Sequence, residues 1–388
     1  MSRSIPIFFL AFIGACASTV LASAQAASSP TEVSNSVQAP SSPVAYVYVS
    51  SYLSSSNANQ IDGYSAASNG SLTPIPGSPY PYNVNYMAVT GSWLFGVANL
   101  DEDLDSFSIG SNGALTLKNS LTVVTNGNGL ISDYLDHTGA TLYADLYSTN
   151  NDYLSYSIDK STGQLTQTGD LAGGPANFTP VSFIGNDEFA YSSSCYHFTQ
   201  EIIGVQRNTD GTLSYLNNFN PQFPAEKSGG FYCPYLGSAD PTNHVAIAME
   251  PLTSNWGQDG AWQLATYTAD ASGNLTTTST FSNMPQVLVG SVNNYWMSPN
   301  GKLLAVSGTS GLQIFHFNGA NPITRFTKLL TTSPVNQVLW DKANHLYAIS
   351  YSASKLWVFT VTATGVTQAP GSPHSISSPQ NLIVLPKT

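Results

Sequence analysis

Trp93-Leu94-Phe95-Gly96-Val97-Ala98-Asn99, then Leu104 to Ile109, then Asn112-Gly113 followed by Ala114-Leu115-Thr116-Leu117, form the stretch on which the fold turns. An apolar run leads into a polar loop, an alternating run and an Asn-Gly pair that opens a further run. Asn-Gly between apolar runs signals a hairpin, because both residues tolerate the positive φ of a tight turn. Tyr86-Met87-Ala88-Val89 precedes them as a short strand. The four strands, a to d, read as one antiparallel unit.

The unit recurs along the chain. Strands of type b are expected at Ala45 to Ser50, Trp93 to Asn99, Thr141 to Tyr147, Glu188 to Ser193, His244 to Glu250, Lys302 to Ser307 and His345 to Tyr351. Strands of type c follow at Gln60, Leu104, Tyr153, Glu201, Trp262, Gly311 and Lys355. A Gly-x-Leu phrase opens strand d at Gly70, Gly113, Gly163, Gly211 and Gly273, degrading to Gly319…Ile323 and Gly365-Val366 in the last two units. Seven b-strands spaced by 43 to 58 residues predict an all-β, seven-bladed propeller of four-stranded antiparallel blades.

No strand a precedes Ala45. The missing strand stands at the far end, Asn381-Leu382-Ile383-Val384-Leu385. The expectation is that this C-terminal segment completes blade 1 as its inner strand and closes the ring, which removes open edges. An open β-solenoid is the rival architecture; it would need caps and more uniform repeats.

Composition agrees with strands and turns. Of 388 residues only 9% are charged, while Gly (31), Pro (23) and Tyr (21) are abundant. The net charge of −11 argues against nucleic acid, where Lys and Arg on phosphates dominate binding, and against docking on an anionic membrane through a basic patch.

Residues 1–24 read as an export signal: Arg3 is the positive n-region, Ile5 to Val20 is apolar or small, and Ala22-Ser23-Ala24 fits a cleavage site. Ile13-Gly14-Ala15-Cys16 also resembles a lipoprotein box. On that alternative residues 1–15 are the signal and Cys16 is acylated. Residues 25–43 have the Ser/Ala/Pro composition of a disordered tether, and 44–388 form a single propeller. No other 20-residue apolar run exists, so no transmembrane span is expected. The reading is of an exported, periplasmic or extracellular monomer, lipid-anchored if Cys16 is modified. Cys195 and Cys233 remain beyond the leader, an even number that predicts one disulfide in an oxidising compartment; two free thiols are the alternative. Cys195 is expected in a b–c loop and Cys233 in a long d–a connection, about Asn217 to Pro234.

The chain resembles the lactonase family of seven-bladed propellers, which includes 6-phosphogluconolactonase and carboxymuconate cyclase. The resemblance rests on Ala45-Tyr46-Val47-Tyr48-Val49-Ser50, Ile61-Asp62-Gly63-Tyr64, Gly70-Ser71-Leu72-Thr73-Pro74, the repeated Gly77-Ser78-Pro79 and Gly371-Ser372-Pro373, and Ser298-Pro299-Asn300-Gly301-Lys302-Leu303-Leu304. It implies a pocket of His, Glu and Arg at the top of the central channel that acts on a sugar-like lactone. Beyond the leader, however, the chain holds only Arg207 and Arg325, both expected away from the channel, so a phosphorylated substrate is not expected.

In a propeller the d–a and b–c connections share one face, here called the top. Its expected ligand-binding residues are Tyr82, Asn85, Asn128, Tyr196, Trp256, Asn294, Trp296, Tyr351 and His374. Aromatic and amide side chains suit a neutral polar ligand through stacking and hydrogen bonds; packing of loops over the blades is the competing role. His197 and Glu250 are the acid/base candidates, with hydrogen bonding inside loops as the alternative. His244 and His345 share one slot at the start of strand b, which points to a structural role. Asp101-Glu102-Asp103-Leu104-Asp105 lacks the EF-hand pattern and reads as a solvated loop. No cofactor and no metal is expected. The functional alternatives are a lactonase-like enzyme, a non-catalytic propeller recognising a glycan, peptide or protein of the cell envelope, and a structural envelope protein.

Overall fold

A computed structural model describes residues 42–98, 101–123, 129–147, 152–172, 180–196, 199–227 and 229–387. They lie in one compact unit, 41–388, and among them no helix occurs. Seven sheets form seven blades. Blade 2 runs Val84–Thr90, Trp93–Ala98, Asp103–Ile109, Leu115–Thr122; blade 3 runs Gly129–Leu135, Thr141–Tyr147, Asp152–Ile158, Leu165–Ala172. Blade 4 runs Ser182–Phe183, Phe189–Tyr196, Thr199–Arg207, Leu213–Tyr215, and blade 5 runs Phe231–Ala239, His244–Leu252, Gln263–Ala269, Leu275–Thr276. Blade 6 is Val292–Met297, Leu303–Gly308, Gly311–Asn318, Asn321–Arg325. Blade 7 is Gln337–Trp340, His345–Ser350, Lys355–Val361, Val366–Gln368, with His374–Ser375 added beside its third strand.

Blade 1 closes the ring as expected. Pro379–Pro386 is its inner strand, antiparallel to Ala45–Leu53, followed by Ala58–Ala66 and Leu72–Pro74. The register sets Tyr48 opposite Ile383 and Val47 opposite Val384. The added strand also touches the inner strands of blades 2 and 7, so it belongs to the wall of the channel.

A blade alone leaves two apolar faces in water; neighbours bury them. The core accordingly divides into seven clusters, one at each blade–blade interface. The cluster between blades 7 and 1 joins Tyr347, Ile349 and Val358 to Val47, Leu382 and Val384. Its existence is the packing signature of a closed circle.

The same interfaces explain the Gly-x-Leu phrase. The first residues of strand b in one blade lie against the c–d turn glycine of the next: Trp93 on Gly163, Thr141 on Gly211, Phe189 on Gly273, His244 on Gly319, and His345 on Gly70 across the closure. Tyrosine hydroxyls donate to the same turns, Tyr48 to Gly113 O at 2.7 Å and Tyr143 to Gly211 O at 2.8 Å. The two repeated histidines thus have a packing role. Each also pairs through Nδ1 with the aspartate four residues earlier, His244 with Asp240 at 3.1 Å and His345 with Asp341 at 2.7 Å.

The two Gly-Ser-Pro phrases shape the top loops. Ser78 Oγ accepts from Gly63 N and Ser372 Oγ from Val358 N, at 2.8 and 2.9 Å. In both blades the d–a connection is pinned to strand c before it crosses towards the channel.

Candidate functional site

On the top face, where blades 7, 1 and 2 meet, a cleft of about 380 Å³ is lined by Tyr52, Asn57, Ala58, Asn59, Asn83, Asn85, Tyr351 and Gln380. Tyr52 comes from the end of strand b of blade 1 and Asn57 from the b–c turn after it, Asn83 and Asn85 from the entry to the inner strand of blade 2. Tyr351 comes from the b–c turn of blade 7 and Gln380 from the closing strand. The site therefore exists only in the closed ring.

Its amides are held by one another. Asn59 Nδ2 donates to Asn85 Oδ1, and Asn85 Nδ2 donates to Asp101 Oδ1. Asn83 Oδ1 accepts from Asn59 N at 2.8 Å, and Asn57 Oδ1 accepts from the Tyr52 hydroxyl at 2.7 Å. Gln380 Nε2 donates to Ser378 O at 3.0 Å. Asn85 is thereby held at both ends, while the other amides are fixed at one end and leave the other: Nδ2 of Asn57 and Asn83 as donors, Oδ1 of Asn59 and Oε1 of Gln380 as acceptors. The Tyr351 ring is 50% exposed, and its backbone N–H is held by Asn336 Oδ1 at 2.8 Å. No carboxylate, Lys, Arg or His is among these lining residues. Such a surface offers alternating donors and acceptors beside an aromatic face and no fixed charge.

Of the residues expected from the sequence, Asn85 and Tyr351 line this cleft. Tyr82 does not; its ring packs on Phe107 and Tyr80, with centroids 4.7 and 6.2 Å away. Trp256 lies in the b–c loop of blade 5 against Phe231, at 4.4 Å. Asn294 accepts from Val338 N through Oδ1 at 3.2 Å, tying blade 6 to blade 7. Trp296 is the second-last residue of the inner strand Val292–Met297, next to the a–b turn, and so belongs to the bottom end. His374 sits in the added strand of blade 7 beside Tyr64 of blade 1, at 6.1 Å; burial lowers its basicity. Its loop crosses the outer part of the blade interface rather than the channel mouth.

Glu250 lies opposite Cys233 in blade 5. Burial pushes its carboxyl above the ordinary range, and it has no ion pair among the described residues. His197, Asn128 and Cys16 lie outside the described residues, as does the side chain of Tyr196. Blade 5 and the cleft draw on different blades, so Glu250 is not part of the amide cluster.

The disulfide is present: Cys195 and Cys233 are joined, with Cα atoms 5.4 Å apart. Its setting differs from the expectation. Cys195 lies inside the strand Phe189–Tyr196 and Cys233 inside Phe231–Ala239. Both strands run beyond the expected loop boundaries, and the two strands pack side by side at the blade 4–5 interface. The bond links strands of two adjacent blades, not the two top-face loops expected. The arginines behave as expected: Arg207 pairs with Asp136 at 2.7 Å, and Arg325 donates to Gln286 O at 2.9 Å.

Fold and site define a seven-bladed β-propeller with a neutral, amide-lined cleft on its top face. Among solved structures the chain is similar to a Bacteroides fragilis protein provisionally named a 6-phosphogluconolactonase, with a TM-score of 0.64 and 16% identity over 89% of this chain and 98% of that one. The periplasmic gluconolactonase PpgL of Pseudomonas aeruginosa gives 0.64 and 13% over 88% and 99%, and a protein from Lactobacillus plantarum gives the same four values. At these identities the likeness is one of fold. No family model and no curated protein matches the sequence. No helix among the described residues is long and apolar enough to cross a membrane.

Proposed function

We propose that the chain is an exported propeller that binds a neutral, polyhydroxylated ligand, a sugar, glycan or sugar lactone, in the cleft between blades 7, 1 and 2. The observation that carries this reading is the set of free amide donors and acceptors on Asn57, Asn59, Asn83 and Gln380 beside the exposed ring of Tyr351. A sugar hydroxyl donates and accepts at once and finds both partners there; its apolar face stacks on tyrosine. The absence of a lining cation disfavours phosphorylated or carboxylated sugars. The disulfide and the periplasmic gluconolactonase of the same fold support export and a lactone as one ligand class.

Calorimetric titration of the full chain with neutral sugars, sugar lactones and sugar phosphates tests this. The expected result is binding of neutral ligands, weakened about tenfold or more in Asn85→Ala and Tyr351→Ala, which corresponds to roughly 1.4 kcal/mol. Equal affinity in parent and variants, or preference for the phosphates, would remove the reading. Lactone turnover lost in both variants would extend it from binding to catalysis.

A further inference from the structure

Two buried carboxyls sit on the inner half of blade 3. Asp145, on Thr141–Tyr147, is fully enclosed and accepts from Ser132 Oγ and from the Tyr134 hydroxyl, the latter at 3.1 Å. Ser132 and Tyr134 flank Asp133 on the inner strand Gly129–Leu135, so Asp133 projects to the opposite face, towards blade 2. Asp133 is 8% exposed, and neither of its carboxylate oxygens makes a hydrogen bond. Its nearest donors are its own amide and that of Ala88 in blade 2.

Among the described residues no cation compensates either group. The ion pairs of the described residues are His137–Asp187, Arg207–Asp136, His244–Asp240 and His345–Asp341, all in bottom-face turns. The groups around Asp145 are Asp133, Tyr134 and Tyr153, with Tyr215 and Glu201 of blade 4 beyond Tyr153. On the blade 2 side Tyr86, itself near Asp101, faces Asp133. All are acids or phenols. A buried, unpaired carboxylate costs several kcal/mol or more, whereas a neutral carboxyl with hydroxyl partners does not.

We propose that Asp133, backed by Asp145 on the other face of the strand pair, is a proton-operated clasp that holds the inner strands of blades 2 and 3 together in mildly acidic surroundings and loosens them in alkaline ones. Neutral Asp145 gains a proton to share with Ser132 or Tyr134, and neutral Asp133 can stay packed against strand Val84–Thr90. Burial pushes Asp145 up to about 7 and Asp133 well above the carboxylate range. The folded chain thus holds these protons more tightly than the unfolded one. The stability they confer is complete below the ordinary carboxylate range and is lost as pH rises towards 7 and beyond. Because Val84–Thr90 also carries Asn85, the clasp sets the pH range over which the cleft keeps that wall. The inference does not depend on what the cleft binds.

Hydrogen exchange of the full chain at pH 5 and pH 8, corrected for intrinsic rates, reads it directly. At pH 8 the amides of 84–90 and 129–135 should lose about tenfold or more in protection while those of blades 5 to 7 do not. Asp133→Asn, an imitation of the neutral acid at the blade 2 face, should diminish the difference; Asp145→Asn, which removes the neighbouring charge, is the second variant should the first fail to fold. Equal protection of the parent at both pH values, or an undiminished pH response in a folded variant, overturns the proposal.

Discussion

The indole of Trp93 in blade 2 covers Gly163 in the c–d turn of blade 3, and its Nε1 donates to Lys160 O at 2.9 Å. A Cβ on Gly163 would stand 2.3 Å from the ring, and the backbone there has φ +71°. Gly163→Ala must therefore displace the indole and place a side chain in the left-handed region. A loss of ~2–4 kcal/mol is expected, read as a lower denaturation midpoint. Gly365→Ala is the control, since nothing lies within 4 Å of its Cβ. Equal behaviour of the two variants would remove the interlock from the account of blade packing.

That interlock shows why the architecture was legible. Each glycine of the Gly-x-Leu phrase stands where the neighbouring blade approaches, so the repeat is written in residues that the packing itself demands. The vacant strand before Ala45 and the apolar tail at 381–385 announced the closure for the same reason. The cleft was harder to read. Asn85 and Tyr351 stand out in the sequence as polar residues near strand ends, whereas Asn57, Asn59 and Gln380 reach the cleft only through the three-blade junction. No local spacing records that junction. Trp296 misled because exposed aromatics mark sites at either end of a channel, and its position one residue before the a–b turn decides which end.

The disulfide supplies a second prediction. Cys195 and Cys233 are 38 residues apart, and a cross-link over a loop of that size confers ~4 kcal/mol in the chain-entropy treatment. Paired Cys195→Ser and Cys233→Ser substitutions should lower the stability by that order. Since the bond spans the blade 4–5 interface, the loss should appear as one shifted transition. Chemical denaturation with and without reductant measures it; an unchanged midpoint would make the bond incidental.

His137 donates from Nδ1 to Asp187 at 2.8 Å, joining the bottom turns of blades 3 and 4. The hydrogen bond to Asp187 raises the imidazole above its ordinary value, and in turn His137 lowers the Asp187 carboxyl against the opposing effect of burial. The His contribution is present below about 6.5 and disappears as pH rises through its raised value; the Asp contribution is present above its ordinary range and disappears on acidification. The pair should therefore act above the ordinary carboxylate range and below the raised value of the imidazole. His137 is 55% exposed at its side chain, so His137→Ala should cost under ~1 kcal/mol at pH 6 and nothing at pH 9. Thermal scans of parent and variant at both pH values separate this from the clasp, which is common to both proteins.

Leu382 tests the closure. It is fully buried on the C-terminal strand and packs in the same cluster as Val47, Ile349 and Val358. Leu382→Ala removes buried methyl groups at a site where three strands meet, for an expected loss of ~2–4 kcal/mol. The form of the transition matters more than its midpoint. If the tail were a detachable flap, the variant would fray first and leave a ring that melts where the parent does. Because the strand is the inner member of blade 1 and touches blades 2 and 7, its weakening opens both neighbouring interfaces. One cooperative transition at lower temperature is expected, with fluorescence and circular dichroism coinciding. Two separated transitions would mean that blade 1 stands without its last strand.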